Sequence, residues 1–310
     1  MNRPVMVVNG GRSLEREVSL RSGRRAADAL KSIGYEVVQV DPDERFVARV
    51  KDLSPQFAFI AMHGRGGEDG TLQDLLEILD VPYTGSDVHA SAQCLDKHAF
   101  KEMLAGEGLS TPAWHSFNRT AFSEFGAVGT LGVITAQLGY PLVIKPSREG
   151  SSLGLKIISS DEEFAPALVG SFSYDDRVVI EHFIDGRELA VSVLGPAGSP
   201  EALPIVEIFT TEPFYNFRAH YEEGAARMEI AVLDDQVETR VRSAALRAYA
   251  AAGCRDLARV DVVLDAAEQP QILEINTIPG LTETGPTPFA ADAMDLNFTD
   301  LIARVIERVK

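Results

Sequence analysis

The sequence predicts an α/β protein that opens with a parallel, doubly wound unit and continues as antiparallel sheet. Three observations carry this. Through about residue 95, short apolar runs alternate with amphipathic segments of helix length, as strands joined by crossover helices do. Beyond Thr111 and Pro112, apolar runs follow one another with few helices between them. Near residue 270, two apolar runs flank a polar turn, as in a hairpin.

The elements follow in order. VMVV (5–8) is a short buried strand, NGGRS a loop, and residues 14–32 a helix whose Ala26, Ala27 and Leu30 share a face with Ile33. Gly34 ends that helix, where a left-handed residue caps it. YEVVQVD and FAFIAM (57–62) are the next strands; HGRGGEDG (63–70) is a loop and TLQDLLEIL a helix. PLVIKP (141–146), LGLKIIS (153–159), RVVIEHFI (177–184) and RELAVSVLG (187–195) predict the antiparallel module. A long helix is expected near 235–252, strands at 258–265 and 271–276 around the turn AAEQP, and a last helix in FTDLIARVIERVK.

Composition sets the class. A chain of 310 residues buries a large core and suggests two or three domains. Hydrophobic residues at 45% and charged residues at 24% are ordinary for a globular protein. A net charge of −17 disfavours nucleic acid and anionic membrane as partners, while leaving room for a locally positive phosphate pocket. Cys94 and Cys254 have no metal-binding spacing and read as free thiols of a reducing compartment. No secretory signal and no run of membrane-spanning length is visible, which predicts a cytoplasmic protein.

Four segments carry chemistry. On a strand, residues two apart share a face, so Asp261 joins Arg259, and Glu274 joins Asn276. If the hairpin pairs in register, Asp261, Glu274 and Asn276 meet. Carboxylates on so apolar a sheet need a cation, and an all-oxygen set suits Mg²⁺ with substrate phosphates; strand-end acids facing solvent are the plain alternative. In PLVIKPSREGSSLG, Lys145 ends a strand, and Gly150, Ser151, Ser152 and Gly154 would let backbone N–H groups approach a phosphate. Such a loop is often only a turn. The 63–70 loop, with His63, lies at a strand end where open α/β sheets bind ligands, or is a solvated loop. Glu15, read alone, is an acid in the first turn of a helix, favourable to the dipole.

Together these stretches resemble the D-alanine–D-alanine ligases of the ATP-grasp superfamily. NGGRSLEREVSLRSG, AMHGRGGEDGTLQDLLEILDVPYTGS, CLDKHAFK, YPLVIKPSREGSSLG, FIDGRELAVSVLG, FYNFRAHY, GCRDLARVDVVLD and LEINTIPGLT occur in family order along the whole chain. The resemblance implies an N-terminal parallel α/β domain (1–95), a small ATP-grasp subdomain (96–185) and a C-terminal ATP-grasp subdomain with the metal site (186–310). It implies an ATP-dependent ligase that joins two D-alanines through an acyl phosphate for peptidoglycan precursor synthesis. By resemblance, Asp261, Glu274 and Asn276 hold two Mg²⁺ ions, with Mn²⁺ as an alternative. Lys97, Lys145 and the Ser151–Ser152 loop bind ATP phosphates. Glu181, Phe183, Glu188 and Phe214 line the adenosine pocket. Glu15, Ser151 and Tyr221 form a hydrogen-bonded triad closing the site, with Glu15 on the ammonium of the first D-alanine, and Arg259 with the Gly280 N–H stabilises the oxyanion. D-Alanine and ATP are then the partners, and a homodimer is an oligomeric form the family implies.

Two departures stand out. His220 replaces the usual lysine before Tyr221, and it is shorter. Gly285-Pro286 replaces the usual Ser-Leu, whose hydroxyl and nearby N–H bind the acceptor carboxylate; Gly has no hydroxyl and Pro no N–H. Thr282, Thr284 or Thr287 would then supply a hydroxyl, or else the acceptor is a different amine or amino acid. A segment from about 212 to 226 reads as a closing loop.

Overall fold

Parallel strands cannot be joined by a tight turn, so each pair needs a crossover. In the computed structural model, which describes residues 3–196, 198–210 and 226–310, the first sheet is built this way. Strands β1 (Val5–Val8), β2 (Val37–Val40) and β3 (Ala58–Ile60) pair in parallel in the order β2-β1-β3, linked by helices α1 (Arg16–Ser32) and α2 (Phe46–Leu53). Helix α1 starts two residues later than expected, because Leu14 is exposed and Glu15 turns inward, buried. Gly34 has φ +97° and its N–H closes the helix on Lys31 O, as expected, although Ile33 faces solvent. Helices α3 (Thr71–Ile78), α4 (Val88–Leu95) and α5 (Lys97–Gly106) follow.

The second sheet is antiparallel, in the order β4-β7-β5-β6: β4 (Trp114–Asn118), β5 (Leu142–Pro146), β6 (Lys156–Ile158) and β7 (Arg177–His182). The expectation of few helices here is corrected. Helices α6 (Arg119–Ser123), α7 (Leu131–Leu138) and α8 (Asp161–Ser171) lie between the strands, and Ile134, Phe164 and Leu168 pack on Leu142, Ile144 and Ile180. Helix α7 buries only Ile134 and α8 carries Pro166, so neither shows a broad apolar stripe in sequence. Strand β6 is shorter than predicted, because residues 151–154 are turn and Leu155 lies outside the strand.

The third sheet runs β11-β10-β8-β12-β13, with β9 added to β8: β8 (Arg187–Leu194), β9 (Glu201–Ala202), β10 (Val206–Thr210), β11 (Ala226–Ile230), β12 (Leu257–Leu264) and β13 (Pro270–Asn276). Helix α9 (Asp235–Ala251) covers one face, where Val241, Ala245 and Tyr249 meet Val191, Val260 and Ile272. Phe100 and Leu104 of α5 belong to this same core. The other face meets α10 (Pro286–Asp292) and α11 (Phe298–Val305), whose Ala290, Leu301, Ile302 and Val305 also pack on Val5 and Val7 of β1 and on Ala26 and Leu30 of α1.

Candidate active site

The hairpin of β12 and β13 pairs Arg259 with Asn276 and Asp261 with Glu274, as the two-residue periodicity requires. The register then shifts, so that Val262 opposes Ile272 and Leu273 is the extra residue. A bulge of this kind re-aims side chains beside it. Asp261 is gripped by Arg259, with Nε 2.6 Å from Oδ1 and Nη2 2.7 Å from Oδ2, and Asn276 Nδ2 donates to Oδ2 at 2.9 Å. Burial pushes the Asp261 carboxyl up, against the pull of Arg259. Burial would do the same to Glu274, but Lys97 at 3.1 Å, together with Lys145, outweighs it and holds that carboxyl at about 2. Among the described residues no three His, Cys, Asp or Glu side chains form a metal cage. The set here is two carboxylates and an amide, which fits an ion that keeps waters and shares substrate phosphates.

Lys97 is the first residue of α5, the end of a helix where a cation is least favoured. It is held there by function-like contacts: its ammonium reaches Glu274 and donates to Glu149 O at 2.7 Å. One turn on, Lys101 is fully buried and lies 2.9 Å from Glu181 Oε1, while Lys145 lies 2.9 Å from Oε2. Burial lowers Lys101 to about 8 despite Glu181. Glu181 would be raised by its own burial, but Lys101 and Lys145 bring it below the ordinary value. Sequence reasoning missed Lys101. Its spacing of four from Lys97, on one helix face, was the signal.

Lys97, Lys145, Ser152, Glu188, Asp261 and Glu274 line one cleft between the two antiparallel sheets. Glu181 and Phe183 are not among its lining residues; Glu181 touches it through Lys145, and the Phe183 N–H is spent on Pro141 O at 3.0 Å. Phe214, His220 and Tyr221, and most of the expected closing loop, lie outside the described residues.

A second cavity adjoins the first. Glu15, His63, Ser151, Arg259, Glu274, Asn276, Gly280, Thr282, Thr284, Gly285 and Pro286 line it. The Ser151 hydroxyl donates to Glu15 Oε1. A Cβ on Gly64 would come within 2.6 Å of Glu15 Oε2, so glycine is what lets the carboxylate sit there. Ser151 and Ser152 hold φ of 49° and 57°, consecutive left-handed positions that cost side chains roughly 1–2 kcal/mol each. Strain of this kind clusters at functional loops. Thr287 is fully buried and its hydroxyl bonds Ser192 at 2.8 Å, so of the three threonines expected to face an acceptor, it does not. The Gly285 N–H bonds Thr282 O at 3.1 Å, and Pro286 opens α10 without an N–H. Sequence reasoning also missed Ser19 and Ser22, two polar residues three apart on the buried face of α1.

Comparison with known proteins places the chain in a family. Residues 103–307 match the family profile "D-ala D-ala ligase C-terminus" and residues 44–86 match "D-ala D-ala ligase N-terminus". The chain is 42% identical over 308 residues to a D-alanine–D-alanine ligase of Desulforudis audaxviator, covering 99% of this chain and 98% of that one. It is 40% identical over 308 residues to that of Pelotomaculum thermopropionicum, covering 99% and 96%. The solved D-alanine–D-alanine ligase of Bacillus anthracis complexed with ATP superposes with a TM-score of 0.83 at 32% identity, over 99% of this chain and 97% of that one.

Proposed function

The chain belongs to the D-alanine–D-alanine ligase family, and from that premise we propose how its residues divide the work of joining two D-alanines at the expense of ATP. The observation that supports this division is the position of Glu274, which lines both the lysine-rich cleft and the Glu15–Ser151 cavity. A phosphate held in the first cleft would lie next to an amino acid held in the second, which is what phosphoryl transfer to a carboxylate needs.

In the proposed division, Lys97 and Lys145 take the ATP phosphates, and the Ser151–Ser152 loop folds over them. Glu188 faces the nucleoside, and Glu181 holds Lys145 from behind the cleft. Asp261, Glu274 and Asn276 would hold Mg²⁺, or Mn²⁺, which when bound neutralises phosphate charge. Glu15 takes the ammonium of the first D-alanine, whose carboxylate is phosphorylated to the acyl phosphate. The amine of the second D-alanine then attacks that carbonyl and phosphate departs. Arg259 and the Gly280 N–H stabilise the oxyanion that forms between these events. Thr282 and Thr284 are the hydroxyls of the acceptor turn left to meet the second carboxylate. The product serves peptidoglycan precursor synthesis.

The test is incubation with D-alanine, ATP and Mg²⁺, read by mass. Dipeptide with equal ADP and phosphate is expected, and none with L-alanine. ADP release that yields product only with another amine would move the acceptor assignment elsewhere. Among the described residues no helix is long and apolar enough to cross a membrane, and a cytoplasmic homodimer is the form proposed, checked by light scattering.

A further inference from the structure

The walls of the second cavity are tied to a buried hydroxyl that does not line it. Ser22, fully buried on α1, lies 3.1 Å from His63 Nε2 and 3.1 Å from the backbone N of Leu281. A backbone N–H only donates, so Ser22 Oγ accepts from Leu281. Its own proton then has one acceptor among the described residues, His63 Nε2. Donation there would leave Nε2 without a hydrogen and put the ring proton on Nδ1, facing Glu68 Oε1 at 3.4 Å.

The same helix fixes the rest of the turn and the loop. Arg25 donates to Leu281 O. The His63 N–H donates to Ser19 Oγ at 2.8 Å, and Ser13 Oγ donates to His63 O at 2.8 Å while accepting from the Glu15 N–H at 3.0 Å. Leu281 follows Gly280, so the residue next to the proposed oxyanion donor has both its backbone N–H and its C=O bonded to α1. His63 and Gly280 both line the second cavity.

We propose that Ser22 is a positioning residue for ligation: its single hydroxyl ties the His63 ring and the Gly280–Leu281 turn to α1, fixing where these two parts of the amino-acid cavity's wall sit. This rests on the reading of that cavity as the D-alanine site. Losing the tie lets the turn and ring drift, and a small misplacement of a positioned donor costs turnover more than binding.

Two measurements test it. The first compares Ser22→Ala with Ser91→Ala, another fully buried serine, whose hydroxyl bonds Ser86 O and lies outside both cavities. Ser22→Ala is expected to lose roughly ten- to hundred-fold in kcat with KM for ATP nearly unchanged, and Ser91→Ala to keep kcat. Equal kcat for Ser22→Ala and the parent, or equal losses in both variants, overturns the proposal. The second needs no altered protein at position 22. Nitrogen NMR of ¹⁵N-histidine protein, assigned with His63→Gln, should show His63 protonated on Nδ1 and bare on Nε2; a proton on Nε2 overturns it. If the parent makes no dipeptide, the ligase reading fails while the ring state is still readable.

Discussion

At the scale of single residues, the site's charges are already paired with one another. Glu274→Gln should remove turnover and leave the fold intact, because Lys97 keeps its bond to Glu149 O. Asp261→Asn should also remove turnover, but at a cost of about 1–3 kcal/mol in stability, since it leaves the buried Arg259 without its full partner. Denaturant melts and ADP release separate the two effects; near-normal ADP release in either variant would dismiss the metal role. Lys101→Met is expected to act through Glu181. A carboxyl depressed below 4.5 in the folded state contributes stability above its unfolded value and loses it as pH falls through the folded one. Without Lys101 that depression shrinks and Glu181 has less stability to lose, so the fall in stability on acidification should be shallower, and end at higher pH, than in the parent. Melting temperatures across the acid range read this, and an unchanged acid limb would refute it. The hairpin residues were legible because strand parity needs only the sequence. Lys101 was not, because a lysine is exposed by default and only the folded core shows otherwise.

At the scale of elements, the acceptor turn is the informative one. The sequence alone shows a missing hydroxyl at Gly285. The structure adds that a Cβ there would stand 2.7 Å from Gly280 O, closer than real Cβ atoms come to backbone. Gly285→Ser should therefore lower kcat by displacing Gly280. Steady-state kinetics at saturating ATP checks this, and a serine variant as fast as the parent would show that the turn has room. Helix α4 and the turn after α9 bring Cys94 and Cys254 to 3.9 Å between sulfurs, both buried. Neither thiol should react with a thiol reagent in the native protein, and both should react after unfolding; rapid labelling of the folded chain would contradict the burial. The free thiols were legible from their number and spacing, but their adjacency, 160 residues apart in the chain, was not. Strands β9 to β11 went unpredicted, because β9 has two residues and β11 is largely solvent-facing, so little apolar alternation marks them.

At the scale of the whole molecule, the two cavities are walled by all three sheets and their loops, with Lys145 from the second, Asp261 and Glu188 from the third, and Glu15 and His63 beside the first. A ligand that spans them should stabilise the chain as a unit. A nucleotide with Mg²⁺ at a hundred times its Kd would add about 2.7 kcal/mol, and chelation should reverse the gain. A thermal scan that shows no shift with ADP and Mg²⁺ would remove the nucleotide from this cleft. The order of the parts was legible through resemblance, whereas the return of α10 and α11 onto the first domain was not, since short amphipathic helices do not say which face they will cover. That return has a consequence for birth on the ribosome. Val5, Ala26 and Leu30 are made first, yet Leu301, Ile302 and Val305, which cover them, are made far later along the chain. At bacterial or eukaryotic elongation speeds the first domain waits on the order of tens of seconds with that face bare. A chaperone that shields nascent apolar surface should matter more to the yield of this protein than to one whose domains each close on their own sequence.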